Sequence, residues 1–535
     1  MNAPQPQPQS QPQPQPQPQP LLHPGGGRRT FLAQALSVGA STGVAGAFGW
    51  STSAQAAACA EPATAFATAA AGNAPWTAAY AGISSDVEPV TVRFEGRLPP
   101  GFRGSLYRNG AARNAFAGLR YAHWFDGDGA VQRYEIGARG DTLTHSARLV
   151  RTDKFVAESA AGRPLRASYG THVPGAEGVR GPDAINVGNT HVVSHGGRLL
   201  ALWEGGSAHE IDPRTLATRG IVRWADELAG MPFSAHPRIE PDGTMWNFGA
   251  SPLPGLLTLY RIGRDGKLQQ HHTLRVPDLP MLHDFAVTER HLVFLLPPYT
   301  LDRERLQDGS TMHEAYVWRP ELGLRAMVLD KAQLDAPPRW FTLPAGFVFH
   351  IGNACEDGGV IRLDCMRSAS AWQVQRGMMD VMCGAYEPQD HTQAMKVVLD
   401  LASGRARQEV LAQAAEFPRV DPRHIGRPYR QVFAALREGA AARPGYDAVM
   451  RMDLQRGTID RYRYGDDHLV EEHIFLPRAG GAEVEGWLVG SAIDLTRRQM
   501  RFSVFDAQHL SAGPIAQARL PRLMPAGLHA SFVAA

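Results

Sequence analysis

From residue 101 onward the chain repeats one local unit: a short apolar strand, a turn built of Asp, Glu, Gly or Asn, and a second strand. The pattern predicts hairpins at His123-Trp124-Phe125, turning through Asp126-Gly127-Asp128-Gly129 into 130–136, and at 190–193, turning through His195-Gly196-Gly197 into 198–203. Further units follow at His236, His283 and His350, and those at 394–401, 446–454 and 487–495 lack the histidine. Many antiparallel hairpins at long, irregular spacing restrict the fold to an all-β sandwich, barrel or propeller. A propeller is favoured because its innermost strands converge on one axis, so residues at equivalent places in successive units come face to face. On that reading His236, His283 and His350 meet at the axis, just before the turns of their hairpins. The insertions at 302–314 and 408–431 are expected to cap one face, where loops on a rigid scaffold usually carry the site.

The stretch Met281-Leu282-His283-Asp284-Phe285-Ala286-Val287 reads as one strand, with His283, Phe285 and Val287 on one face and Asp284 on the other. Asp284 is therefore expected to brace its own blade rather than to bind a ligand. One strand histidine means little, whereas three at the same place in successive units suggest a metal site. Neutral imidazole suits iron, copper, zinc and nickel, and an all-histidine set leaves the metal's charge uncompensated by its own ligands. Metal-bound histidines usually donate their second ring N–H to a carboxylate or carbonyl. Glu204, Glu416 and Glu472, each beside an apolar or aromatic run, are the candidate partners, and by position alone they fit ordinary surface glutamates equally well.

Composition narrows the function classes. With 54 Lys+Arg against 52 Asp+Glu and no block of like charge, nucleic acid is not expected as a partner. Cys59, Cys355, Cys365 and Cys383 are too few and scattered for a disulfide framework and read as mostly free thiols. Residues 4–20 are a Pro-Gln alternation expected to be disordered. Arg28-Arg29, a weakly apolar run and Ala54-Gln55-Ala56 then resemble a twin-arginine export signal. The expected organisation is thus a tract and signal at 1–56, a lead-in at 57–100 and a single domain at 101–535, with a periplasmic or exported mature protein.

Several motifs in order resemble the carotenoid cleavage oxygenases, a family that includes stilbene-cleaving dioxygenases and a retinoid isomerase. They are Leu106-Tyr107-Arg108-Asn109-Gly110, His123-Trp124-Phe125-Asp126-Gly127-Asp128-Gly129, Leu202-Trp203-Glu204-Gly205-Gly206, Ala235-His236-Pro237, Met281-Leu282-His283-Asp284-Phe285, Phe349-His350-Ile351-Gly352-Asn353-Ala354 and Gly527-Leu528-His529-Ala530. The resemblance implies a seven-bladed β-propeller with a loop and helix cap, and one Fe(2+) per chain held by His236, His283, His350 and His529. The fourth histidine follows from the motif alone. The resemblance also places the outer carboxylates on Glu204, Glu416 and Glu472, and a threonine that partly shields one open iron position on Thr190, the lesser alternative being a plain β-branched strand residue.

The implied reaction is oxidative scission of a conjugated C=C in a small apolar alkene by O2, giving two carbonyl products. An iron-dependent isomerase acting on a retinoid-like ester, and a metal-stabilised binding module without turnover, are the alternatives. Trp203 and Phe349 are candidate pocket walls, or simply core aromatics. Stilbene-cleaving members grip a phenol with a tyrosine near the His-Trp-Phe motif and a lysine in the following strand, places that Tyr121 and Lys154 resemble. Ala122, however, separates Tyr121 from His123, and a one-residue shift turns a strand side chain to the other face. A peripheral membrane contact through an apolar rim is compatible with this reading.

Overall fold

In the computed structural model, which describes residues 61–72, 74–439 and 443–535, seven antiparallel sheets form the blades of a β-propeller. Their innermost strands are Ala530–Ala534 in blade 1, His191–His195 in blade 2, Arg238–Ile239 in blade 3, Ala286–Val287 in blade 4, Phe347–Asp357 in blade 5, Ala415–Arg419 in blade 6 and His468–Pro477 in blade 7. The expected tract and signal at 1–56 lie outside the described residues.

Most of the hairpins form where the turn chemistry places them. Strands His191–His195 and Arg198–Leu202 pair through Gly196 and Gly197, whose φ values of 56° and 74° are those a tight hairpin turn needs and L side chains rarely adopt. The packing that joins the blades is apolar and lies between neighbours. Phe248 and Leu257 of blade 3 pack against Phe285, Leu292 and Phe294 of the next, while Val293 and Phe341 of blade 4 meet Ile361 and Met395 of blade 5. Each buried side chain of this size contributes roughly 1.5–3 kcal/mol on leaving water.

Ring closure draws on both ends of the chain. Ala530–Ala534 pairs antiparallel with Gly104–Arg108 and supplies the axial strand of blade 1. At the N-terminal end, Val87–Arg93 forms the outer edge of blade 1 and Glu95–Gly96 pairs with Pro514–Leu520 in blade 7. The propeller therefore begins near residue 87, not at 101, and most of the expected lead-in belongs to the blades.

Three other expectations change. His123-Trp124-Phe125 is not a strand: Trp124–Asp126 is a 3-10 turn because the His123 ring accepts a hydrogen bond from the Phe125 N–H, and the strand begins at Asp128, inside the expected turn. Segment 408–431 is not a cap insertion, since it carries the end of one outer strand and the whole inner strand Ala415–Arg419 of blade 6. Of the two expected insertions, only the one at 302–314, with helices Arg303–Gln307 and Met312–Ala315, behaves as such. Finally, Cys383 is disulfide-bonded, whereas Cys355 and Cys365 are free. No helix among the described residues is long and apolar enough to cross a membrane.

Candidate metal centre

Four imidazoles converge where the inner strands meet. The Nε2 of His236 lies 2.9 Å from that of His283, His283 lies 3.3 Å from His350, and His350 lies 3.1 Å from His529. All four ligand atoms fall within 4.8 Å of one another, and all four residues are nearly withdrawn from solvent. The histidines sit at the axial ends of the inner strands rather than just before the turns. His236 and His283 precede the short strands Arg238–Ile239 and Ala286–Val287, and His350 stands near the start of Phe347–Asp357. The strand expected over 281–287 shrinks to two residues because Met281 N–H donates to Tyr299 and the Phe285 carbonyl accepts from Arg238, partners outside the ladder.

Three of the four rings are held from behind by a carboxylate. Nδ1 of His283 is 2.5 Å from Glu204 Oε2, Nδ1 of His350 is 2.5 Å from Glu416 Oε2, and Nδ1 of His529 is 2.9 Å from Glu472 Oε1. A neutral imidazole that donates from Nδ1 presents a lone pair at Nε2. Facing Nε2 lone pairs at this spacing cannot all bond one another, and a cation among them satisfies every one. The donor set therefore fits a divalent transition metal whose charge the three glutamates balance. Burial holds His236 and His529 well below the usual histidine range; at His529 Glu472 opposes this without reversing it. At His283 burial also opposes the charged form, but the adjacent Glu204 outweighs it and the net direction is upward. Glu472 is held well below the carboxylate range, because Arg419 and His529 overcome its burial.

Behind these carboxylates lies a set of arginines that pattern reading did not single out. Arg419 grips both oxygens of Glu472, at 2.8 and 2.9 Å, and also donates to the Ala530 carbonyl. The buried Arg108 donates to the carbonyls of Leu528 and Glu472 at 2.9 and 2.6 Å, and Glu471 accepts from the Gly527 N–H at 2.7 Å. Together they pin the segment that delivers His529. Arg419 stands three residues after Glu416 and Arg108 in the Tyr-Arg-Asn-Gly motif, but their partners lie in other blades, so only the closed ring reveals them.

Three of the histidines, His283, His350 and His529, border a cavity lined by Phe125, Thr190, Trp203, Phe349, Phe417 and Leu528, among others. Thr190, Trp203 and Phe349 are thus placed on the wall beside His283, His350 and His529. Part of that wall comes from segment 373–392, where a π-helical turn, Gln373–Gly377, runs into helix Met378–Met382. Phe417 adopts φ 57°, a strained conformation for an aromatic residue, and its ring centroid lies 5.5 Å from those of both His350 and His529.

Tyr121 and Lys154 come together but not on this wall. Lys154 lies in the first turn of helix Asp153–Ala161 rather than in a strand, and neither residue is among those lining the cavity. The three N–H groups of its ammonium all have partners: Tyr121 Oη at 3.1 Å, Asp128 at 3.0 Å and Glu158 at 2.9 Å.

A seven-bladed propeller with four axial histidines, three of them carboxylate-backed, defines a propeller protein with a candidate metal site on its axis. The chain belongs to the carotenoid cleavage oxygenase family: residues 81–534 match the family described as Retinal pigment epithelial membrane protein. It is 32% identical over 458 residues to the apocarotenoid-15,15'-oxygenase of Synechocystis, covering 82% of this chain and 92% of that protein. Isoeugenol monooxygenase of Pseudomonas nitroreducens is 27% identical over 465 residues, covering 84% and 95%. Among solved structures, the cobalt-substituted Synechocystis apocarotenoid oxygenase superposes with a TM-score of 0.77 at 29% identity, covering 86% of this chain and 98% of that one.

Proposed function

We propose that this protein is a ferrous-iron dioxygenase that cleaves a conjugated carbon–carbon double bond with O2 to give two carbonyl products. The observation that carries this reading is the convergence of four imidazole Nε2 atoms, three with carboxylate-held Nδ1, at the wall of an aromatic-lined cavity. His236, His283, His350 and His529 would hold the iron, which supplies the activation of O2 that a side chain cannot provide. Glu204, Glu416 and Glu472 fix the tautomer and direction of three rings. Trp203, Phe349 and Phe417 form flat apolar walls suited to a rigid alkene, and they exclude water from the reacting bond. Thr190 would restrict approach to one side of the histidines.

Of the two substrate classes, a carotenoid or apocarotenoid is favoured over a stilbene. Lys154 has no N–H left for a phenol, because Tyr121, Asp128 and Glu158 take all three, and the pair stands off the cavity wall. The test is O2 uptake and aldehyde formation by the iron-loaded protein on one apocarotenal and one hydroxystilbene. Inactivity on both with iron fully bound would sink the reading, and product without O2 uptake would make the protein an isomerase.

Export to the periplasm is part of the same proposal. It rests on the paired arginines Arg28-Arg29 and is supported by the Cys383 disulfide, since such bonds persist in oxidising compartments. Cell fractionation checks it.

A further inference from the structure

A fifth imidazole stands beside the four. His191 opens the inner strand of blade 2, is buried, and places its ring centroid 5.2 Å from that of His529 and 5.9 Å from that of His236. Its nitrogens face two carbonyls: Nδ1 is 2.7 Å from Ala235 O and Nε2 is 3.4 Å from Ala530 O. Ala235 and Ala530 adjoin His236 and His529 in the chain. A neutral imidazole carries one N–H, and the shorter contact assigns it to Nδ1, donating to Ala235.

His236 differs from the other three ligands. Among the described residues no carboxylate bonds its ring, and its orientation comes through the backbone. Its N–H donates to Ser234 Oγ at 3.1 Å, and that hydroxyl donates to the His283 carbonyl at 3.3 Å. The peptide just before it is held by His191. The Ala530 carbonyl that faces Nε2 already accepts from Arg419 at 3.2 Å, so the strong bond of His191 is the one to blade 3.

We propose that His191 is a positioning residue for the metal: through the Ala235 carbonyl it aims His236 at the shared centre, the task a glutamate performs for each of the other three ligands. This rests on the metal-binding reading above. The role needs a donor at the Nδ1 position and does not need an imidazole as such.

Two variants separate these requirements. His191→Asn keeps a side-chain N–H close to the Nδ1 position, while His191→Leu keeps bulk and removes the donor. Ferrous affinity of the apo protein is measured by chelator competition, the cobalt(II) visible spectrum reports the coordination sphere, and thermal unfolding of each apo protein gives stability. H191L is expected to bind iron about 10- to 100-fold more weakly, with an altered cobalt spectrum and an apo Tm close to that of the parent. H191N is expected to retain the parent's affinity and spectrum. Parent-like iron affinity in H191L, or losses in both variants that track lower apo stability, would overturn the proposal. Should H191L not fold, His191→Phe carries the same comparison. A parent protein that binds no iron at all would instead overturn the metal reading.

Discussion

The guanidinium of Arg238 and the carboxylate of Asp284 tie three ligand-bearing blades together. Arg238 Nη2 lies 2.7 Å from each oxygen of Asp284, and the same side chain donates to the carbonyls of Phe285, Ile351 and Gly352. Asp284 in turn accepts from the Ile351 N–H at 2.8 Å. Arg238 follows His236 by two residues, Asp284 adjoins His283 and Ile351 adjoins His350, so this one hub sets the spacing of three ligands. Asp284 is a brace between blades, where the sequence pattern suggested a brace within one.

Asp284→Ala leaves Arg238 largely buried without its counter-charge, and breaking such a pair costs about 3–5 kcal/mol. Urea unfolding of the apo protein should show that loss. Iron affinity should fall with it, because the three histidines lose their common support.

Glu204→Gln, Glu416→Gln and Glu472→Gln each preserve shape while removing the charge behind one ligand. Each is expected to lower iron affinity by about 10- to 100-fold, read by chelator competition. The loss should be most disruptive at Glu472, whose neutralisation also leaves Arg419 without its bidentate partner.

Lys154→Met should act on stability and not on substrate choice. It strands the buried Glu158 and leaves Asp128 with only Arg113, at a cost of about 3 kcal/mol or more. The ratio of kcat/KM for an apocarotenal to that for a hydroxystilbene should stay unchanged. A selective loss on the phenolic substrate would restore the phenol-gripping role.

Burial pushes Asp126 up to about 6 from its ordinary 3.8, against the hydrogen bonds from Thr171 and Gly170. Between those values the native state binds a proton that the unfolded chain does not, so this group adds stability as pH falls and withdraws it as pH rises through 6. The contribution is about 1 kcal/mol between roughly pH 7 and pH 5. Asp126→Asn should abolish it, seen as the difference in urea-unfolding free energy between parent and variant at the two pH values.

The parts of the fold legible in the sequence were those with local causes. Gly196-Gly197 announces its turn because the backbone there demands positive φ, and Gly404 and Gly457 mark later turns in the same way. The recurrence of His236, His283 and His350 was readable because a propeller maps repetition onto an axis. What escaped depends on closure. His529 occupies no hairpin position of its own and came only from its Gly-Leu-His motif. The short inner strand of blade 4 looked longer in sequence because its apolar run continues where the backbone bonds have been diverted to Arg238 and Tyr299. Tyr121 and Lys154 meet as expected, yet only the helix at Asp153–Ala161 shows that they face Asp128 and Glu158 instead of the cavity.

The strand Ala530–Ala534 closes the ring, and the residue just before it completes the histidine set. The site therefore cannot exist on a nascent chain: six blades could be synthesised and three histidines poised before His529 leaves the ribosome. A product truncated anywhere before residue 529 lacks both its closing strand and the fourth of the converging histidines.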